Sequence, residues 1–142
     1  MKISIVYWSM TGNTESMANA IYETIVENNV DVELINVSDA TESILSSSVI
    51  LFGCPAMGAE VLEETEFEPF FESIESKLTG KKVGLFGSYD WGDGEWMRTW
   101  QERTENQGAI LIADGLIVQN DPDAEGLQAC KDLAMKAVEA SK

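Results

Sequence analysis

Short apolar segments rich in β-branched residues recur along the chain, and segments with helical spacing separate them. The strand-like segments comprise residues 3–8, 31–37, 48–53, 83–87 and 109–118, with a break expected at 114–115. The helix-like segments comprise residues 14–27, 41–45, 67–78, 95–106 and 124–140. Most strand-like segments are apolar without alternation, which is typical of parallel strands covered on both faces. This order predicts a doubly wound α/β domain with a parallel sheet and right-handed connections.

The length of the chain indicates how many domains it forms, and its charge limits which partners it can bind. With 142 residues it can bury a substantial core, and we expect a single domain over residues 1–142. Nine basic residues face 25 acidic ones, and residues 3–76 hold 14 acidic side chains but no lysine or arginine. Nucleic acid and anionic membrane surfaces are therefore excluded as partners, because binding to either depends on cations. A protein with a basic docking surface suits this charge.

The chain lacks residues that several common catalytic and metal-binding chemistries require. It contains no histidine, which removes the commonest general base and metal ligand, and we expect neither catalytic residues nor a metal site. Cys54 and Cys130 match no metal or redox spacing and are interpreted as reduced, partly buried thiols. Residues 1–8 resemble no signal peptide and no apolar run approaches the length of a membrane span, which predicts a cytoplasmic protein.

The loops after the first, third and fourth strands are the candidate binding loops. In doubly wound sheets, ligands bind at the carboxyl ends of the strands, where the strand order reverses. These loops contain SMTGNT at residues 9–14, CPAMGAE at residues 54–60 and SYDWGDG at residues 88–94. The three stretches are therefore expected to lie around one site.

The first of these loops has the features of a phosphate site without a cation. Ser9, Thr11 and Thr14 offer hydroxyl groups, Asn13 offers an amide, and Gly12 allows a tight turn. The helix that follows adds free N–H groups and the positive end of its dipole. Three other phosphate-binding motifs do not fit. A Walker-type loop would need a lysine and a dinucleotide loop needs G-x-G-x-x-G, and this loop has neither. A cysteine phosphatase loop would need an arginine in the loop after Cys54, which is also absent. The alternative is that Thr11 or Asn13 simply caps the helix.

The other two loops carry side chains suited to a planar ring. Met57 is followed by Gly58 and by the carboxylate of Glu60, and Tyr89 and Trp91 stand beside glycines. Aromatic and thioether groups can sandwich a flat ring system. A planar ring that carries a phosphate monoester on a polyol tail indicates flavin mononucleotide (FMN).

These motifs resemble those of the flavodoxin family, and specifically of the short-chain flavodoxins of anaerobic bacteria. The resemblance covers essentially the whole chain, through S-x-T-G-N-T-E at residues 9–15, A-M-G-x-E at residues 56–60 and F-G-S-Y-x-W-G-D-G at residues 86–94. No long insertion interrupts the fifth strand, which is the reason for the short-chain assignment. The resemblance implies a flavodoxin-like three-layer sandwich around a five-stranded parallel sheet of order 2-1-3-4-5.

The resemblance also implies roles for individual residues. Residues 9–14 would hold the phosphate, Met57 would lie against the inner face of the ring and Trp91 against its outer face. Glu60 would accept a hydrogen bond from N3–H of the ring, and the Gly58 carbonyl would accept one from N5–H after reduction. The predicted cofactor-binding residues are Ser9, Met10, Thr11, Gly12, Asn13, Thr14, Pro55, Ala56, Met57, Gly58, Ala59, Glu60, Ser88, Tyr89, Asp90, Trp91 and Gly92.

The function implied is that of a low-potential one-electron carrier. It would shuttle non-covalently bound FMN between semiquinone and hydroquinone, replace ferredoxin, and act as a monomer with ferredoxin-type reductases and oxidoreductases. Glu60, Asp90 and Asp93 surround the expected ring. At about 10 Å each carboxylate disfavours an anionic ring by about 0.5–2 kcal/mol, which makes the carrier a strong reductant.

Two positions depart from the family pattern. Ala59 stands where relatives often carry Gly, Asn, Asp or Ser, and a type II turn there would force Ala59 to positive φ. Relief of that strain predicts that Ala59→Gly stabilises the semiquinone. Asp90 stands where a glycine is common, and it is expected to restrict the loop and add one repulsive charge.

Other functions on this fold fit the sequence less well. A receiver-type signalling domain would need an acidic pair after the first strand and a phosphorylatable aspartate after the third, where the chain has Ser9-Met10 and Cys54-Pro55. A flavin-dependent quinone or NAD(P)H reductase would favour a cationic or open pocket for its second substrate. An FMN protein dedicated to one partner, such as a metalloenzyme, is the third alternative.

Overall fold

A computed structural model describes residues 2–142 of the chain. Its strands are β1 (Lys2–Tyr7), β2 (Asp31–Asn36), β3 (Val49–Gly53), β4 (Lys82–Tyr89), β5 (Ile110–Leu111) and β6 (Leu116–Gln119). Its α-helices are α1 (Asn13–Glu27), α2 (Phe67–Ile74), α3 (Glu95–Asn106) and α4 (Ala124–Ser141). The observed alternation of strands and helices confirms the α/β class predicted from the apolar segments.

The strands form one parallel sheet in the order β2-β1-β3-β4, with β5 and β6 both placed beside β4. This arrangement confirms the predicted order 2-1-3-4-5, because β5 and β6 are two pieces of the fifth strand. From β1 the chain adds β2 on one side, and it then crosses over to add β3 and the later strands on the other side. The strand order therefore switches between β1 and β3. The carboxyl ends of β1, β3 and β4 therefore lie next to one another at the edge where a ligand is expected.

The predicted break in the fifth strand is also confirmed. Gly115 lies between β5 and β6, and its N–H donates to the side-chain oxygen of Gln101 at 2.7 Å. A Cβ atom at Gly115 would come within 2.4 Å of the Met97 sulfur. Helix α3 therefore packs so closely against this break that only glycine fits there.

Buried side chains cover both faces of the sheet, which gives the three layers. Within β3, Val49 and Leu51 belong to the cluster under α1 and α4, whereas Ile50 and Phe52 belong to the cluster under α2 and α3. The second cluster is rich in aromatic rings, among them Trp100, which meets Phe67 edge-on at 5.5 Å. A strand that must bury both faces explains why β3 lacks polar alternation.

Three segments differ from their predicted limits. Helix α2 ends at Ile74 and continues as a 3₁₀ turn over Glu75–Lys77, whereas the sequence predicts one helix over 67–78. The short helix expected at 41–45 is a 3₁₀ helix over Glu42–Ser46. The loop at 54–66 is less irregular than predicted, since Met57 and Val61 pair as an antiparallel bridge. Across residues 2–142, no helix has both the length and the apolar character needed to cross a bilayer.

Candidate functional site

A cleft opens among the loops that follow β1, β3 and β4. Its polar part is lined by Ser9, Met10, Thr11, Asn13, Thr14, Pro55, Ala56, Met57, Ser88, Tyr89 and Asp90. The adjoining part is lined by Met10, Ala56, Met57, Gly58, Glu60, Asp90 and Trp91. The structure thus brings together the predicted site residues, except that Gly12, Ala59 and Gly92 line neither part.

The loop at residues 9–14, called the phosphate loop below, is organised by its first serine. The Ser9 hydroxyl oxygen accepts hydrogen bonds from the N–H groups of Gly12, at 3.2 Å, and Glu15, at 3.3 Å. Gly12 precedes α1 with φ of 97°, a conformation that favours glycine. The alternative that Thr11 or Asn13 caps the helix is not supported, because Ser9 provides this contact and both residues line the cleft.

Thr14 joins the phosphate loop to the loop after β4. It is only 1% exposed, and its hydroxyl lies 2.7 Å from the hydroxyl of Ser88. The Ser88 carbonyl accepts a hydrogen bond from the N–H of Ala56 at 3.0 Å. Ser88 therefore contacts both neighbouring loops, and the three loops are connected within the protein itself.

Residues 57–61 form a small hairpin, which projects into the cleft. The backbone N–H of Met57 donates to the Val61 carbonyl at 2.9 Å, and the reverse bond measures 3.3 Å. The residue with positive φ is Glu60, at 54°, and not Ala59 as expected for a type II turn. In a three-residue hairpin loop the left-handed conformation falls on the third residue, which is Glu60 here. In this conformation the left-handed backbone therefore lies at Glu60, while the positive φ predicted for Ala59 belongs to a type II turn with the Gly58 carbonyl directed at N5.

Glu60 is unusual in a second respect. Its Oε1 atom is buried and has no hydrogen-bond partner among the described residues. A Cβ atom built on Gly92 would lie 2.4 Å from this oxygen, so the carboxylate rests against the Gly92 backbone. Buried acceptors are nearly always satisfied, and an unsatisfied one at the edge of a cleft marks a place for a donor from a ligand.

The loop at residues 88–94, called the third loop below, presents aromatic side chains in different ways. The Trp91 side chain is 63% exposed beside the cleft. The ring of Tyr89 packs against Trp96, with 5.6 Å between centroids. Asp90 is not among the residues with positive φ, so an aspartate fits there without backbone strain. Gly92 and Gly94, in contrast, do adopt positive φ.

Charges around the cleft are predominantly negative, but one carboxylate is paired. Arg98 contacts the Asp93 carboxylate at 3.0 Å and also donates to the Asp93 carbonyl oxygen at 2.9 Å. Both side chains are largely exposed, so this pair contributes little to stability. It does offset the charge of Asp93, which leaves Glu60 and Asp90 as the carboxylates that line the cleft.

Residues that the sequence motifs did not indicate lie behind the cleft and hold its loops. The indole N–H of Trp96 donates to the Cys54 carbonyl oxygen at 3.2 Å, and that of Trp8 donates to Glu66 at 3.2 Å. Burial raises the pKa of the Cys54 thiol far above its ordinary value, so this cysteine is unreactive. Glu63, which seemed one of several acids in a solvated loop, is 4% exposed. An acid shortly before a helix was the available signal.

Comparisons with known proteins agree with this geometry. The flavodoxin family model matches residues 5–133. The flavodoxin of Clostridium beijerinckii is 53% identical over 135 residues, which cover 94% of this chain and 97% of that protein. The flavodoxin of Megasphaera elsdenii is 50% identical over 139 residues, covering 97% and 99% respectively. The solution structure of the two-electron reduced Megasphaera elsdenii flavodoxin superimposes with a TM-score of 0.87 and 48% identity, covering 96% of this chain and 98% of that chain.

Proposed function

This chain belongs to the flavodoxin family, and from that membership and the geometry of the cleft we infer that it is an electron carrier that binds FMN. Its relatives of similar length are flavodoxins, which favours a carrier over the alternative of a quinone or NAD(P)H reductase. When bound, FMN accepts and releases electrons one at a time. The protein residues bind it, orient it and set the free energy of each step.

The observation that carries the proposal is the unpartnered Oε1 atom of Glu60. It needs a donor, and it lies in the part of the cleft lined by Met57 and Trp91, the two side chains suited to a flat ring. The polar part of the cleft is lined by hydroxyl groups and by the start of α1, as a phosphate requires. The residues present therefore fit a ring with an N–H edge and a phosphate tail.

We assign the cofactor-binding roles on this basis. Residues 9–14 bind the phosphate through side-chain and backbone donors, with Gly12 setting the turn. Met57 and Trp91 contact the two faces of the ring, and Glu60 accepts a hydrogen bond from its edge. The tip of the hairpin is open, since a Cβ atom on Gly58 would contact nothing within 4 Å, and this space supports the proposal that the peptide after Gly58 changes orientation on reduction.

We infer a low reduction potential from the charge of the cleft. Glu60 and Asp90 face it without a cation, while Asp93 is offset by Arg98. Each unpaired carboxylate at about 10 Å opposes an added electron by about 0.5–2 kcal/mol, and about 1.4 kcal/mol corresponds to about 59 mV for one electron. A potential in the range of ferredoxins, and replacement of ferredoxin, are part of this proposal.

The proposed partners are redox proteins with basic docking surfaces. The chain carries a formal net charge of −16, and the cleft is flanked by two exposed apolar side chains, Met10 at 69% and Trp91 at 63%. An apolar centre within an acidic surface suits a transient complex with a positively charged partner. Electron-transfer rates with such a partner should fall as the salt concentration rises.

A cytoplasmic location and a monomeric state belong to the same proposal. Cys54 and Cys130 are both free thiols, as expected in a reducing compartment. Sedimentation of the purified protein at several concentrations tests the monomer, and fractionation of the source cells tests the location.

An anaerobic redox titration of the purified protein tests the function. The expected result is a yellow protein with stoichiometric FMN, two separated one-electron steps and slow oxidation of NADPH with a quinone. A colourless protein that does not bind added FMN would contradict the proposal, and rapid NADPH oxidation would favour the reductase.

A further inference from the structure

We propose that Glu63 is a positioning residue for the hairpin at 57–61, because its carboxylate fixes the base of the hairpin to the start of α2. Through this contact it determines how firmly Glu60 is held at the edge of the cleft. The proposal rests on the electron-carrier function proposed above, since the hairpin acts on bound FMN. Glu63 does not itself line either part of the cleft.

The Glu63 carboxylate is buried and fully used as an acceptor. One oxygen accepts from the backbone N–H groups of Glu66, at 2.7 Å, and Phe67, at 2.8 Å. The other accepts from the backbone N–H of Thr65 at 2.8 Å and from the Thr65 hydroxyl. Phe67 is the first residue of α2 and Glu66 directly precedes it, so the carboxylate binds at the start of the helix and also meets the positive end of its dipole.

The backbone of Glu63 is tied to both ends of the segment that contains the hairpin. Its N–H donates to the Cys54 sulfur at 3.4 Å, and its carbonyl accepts from the N–H of Glu68 at 2.8 Å. Only Leu62, which is 5% exposed, separates Glu63 from Val61, the residue that closes the hairpin. Any shift of Glu63 is therefore transmitted to the hairpin through one buried residue.

A charged group is needed here, although burying it is costly. No lysine or arginine pairs with Glu63 among residues 2–142, so hydrogen bonds must compensate for its lost hydration. A carboxylate accepts at both oxygens, whereas glutamine presents one acceptor and one NH₂ group. In Glu63→Gln that NH₂ group would face N–H donors, and one side of the cap would be lost.

Loss of the cap has a predictable effect on bound flavin. If the hairpin moves more freely, Glu60 is no longer held against the ring edge, and the hydrogen bond it provides weakens. The same movement places its negative charge farther from the ring on average. FMN should therefore bind more weakly, and the midpoint potential of the second electron should become less negative.

The test compares Glu63→Gln with Glu64→Gln, which removes the same charge from an exposed neighbour. In the apoprotein, hydrogen exchange at the amides of Met57 and Val61 should be faster in Glu63→Gln and unchanged in Glu64→Gln. FMN dissociation constants should rise about tenfold in the first variant, as for loss of one charge-assisted hydrogen bond. A threefold greater loss of affinity for the one-electron reduced than for the two-electron reduced flavin would shift the potential of the second electron by about 28 mV.

Thr65→Val provides a second variant that leaves the charge intact and removes a single donor to Glu63. Thr65→Val should change the hydrogen-exchange rate of the hairpin amides, the FMN dissociation constant and the potential of the second electron in the same directions as Glu63→Gln. Each change should be smaller than in Glu63→Gln. If Glu63→Gln and Thr65→Val lower the stability yet leave hairpin exchange and both potentials as in wild type, Glu63 is only a helix cap and the proposal is wrong. Failure of the wild-type protein to bind FMN would instead overturn the proposed function.

Discussion

The hydroxyl groups of Thr14 and Ser88 lie 2.7 Å apart in the buried floor of the cleft, although the two residues are 74 positions apart in the sequence. Thr14 stands at the start of α1 and Ser88 near the end of β4. This contact connects the phosphate loop with the third loop. The Thr14 hydroxyl oxygen also accepts a hydrogen bond from the backbone N–H of Ser88 at 3.4 Å. The buried Ser88 hydroxyl, in contrast, has the Thr14 hydroxyl as its partner among the described residues.

Removal of either hydroxyl should therefore destabilise the protein. Thr14→Val leaves the buried Ser88 hydroxyl without its partner, at a cost of about 1–3 kcal/mol. Ser88→Ala should cost less, because the backbone N–H of residue 88 still donates to the Thr14 hydroxyl. The double variant should cost less than the sum of the two single ones, because the second change removes the orphaned group. Urea unfolding of the apoproteins measures these values. Thr24→Val, which removes a hydroxyl that bonds only within α1, is the control, and strict additivity would show that the contact is not energetically important.

A side chain at Gly92 should strain the backbone and displace the Glu60 carboxylate. Gly92→Ala places a methyl group where the Glu60 carboxylate lies and also requires an alanine at φ of 89°. Gly80→Ala is a matched control, because Gly80 has φ of 77° but open space around its Cβ position. Both variants should lose about 1–2 kcal/mol of stability through the backbone. Only Gly92→Ala should also weaken FMN binding in a fluorescence titration, and equal affinities would contradict the contact with Glu60.

Neutralising Glu60 should make the bound flavin easier to reduce. Glu60→Gln removes a negative charge but keeps an oxygen that can accept a hydrogen bond. The midpoint potential of the second electron should rise by about 20–90 mV, which corresponds to about 0.5–2 kcal/mol. Asp90→Asn should cause a smaller rise, since Asp90 is exposed and solvent screens its charge. Anaerobic titration measures both shifts, and an equal or larger effect at Asp90 would contradict the special position of Glu60.

The cap on α2 should make stability depend on pH in one direction. Burial raises the pKa of Glu63, but the hydrogen bonds from Thr65, Phe67 and Glu66 outweigh it and hold this pKa below the ordinary value of 4.5. The folded state thus binds this proton less readily than the unfolded state. The contribution of Glu63 is complete above pH 4.5 and is lost as the pH falls through the lowered pKa of the folded state. The difference in unfolding free energy between wild type and Glu63→Gln should shrink over that acidic range, and a difference that grows on acidification would contradict the cap.

Much of the fold could be predicted because both faces of the sheet are buried. Strands such as β3 then appear as unbroken apolar runs, and the expected interruption at Gly115 coincides with the close approach of α3. The hairpin at 57–61 could not be predicted in this way. It contains one bridge between Met57 and Val61, which is too short to produce an alternating pattern.

Individual roles in the site were harder to predict than its location. The family pattern directed attention to Ala59, yet the left-handed backbone falls on Glu60, because turn geometry and not residue type decides which position carries it. The effect predicted for Ala59→Gly concerns the turn in which the Gly58 carbonyl faces N5 of the ring, and it stays a prediction. The position of Glu63 shortly before a helix was a signal for a cap, but Glu64 and Glu66 share that position, and the sequence does not distinguish the buried carboxylate from its neighbours.

The contacts through Ser88, Trp96 and Glu63 join the cleft loops to one another and to the helices behind them without help from a ligand. A site built in this way should keep its shape when an electron is gained or lost. Small displacements of the nuclei mean a low reorganisation energy, which favours rapid electron transfer.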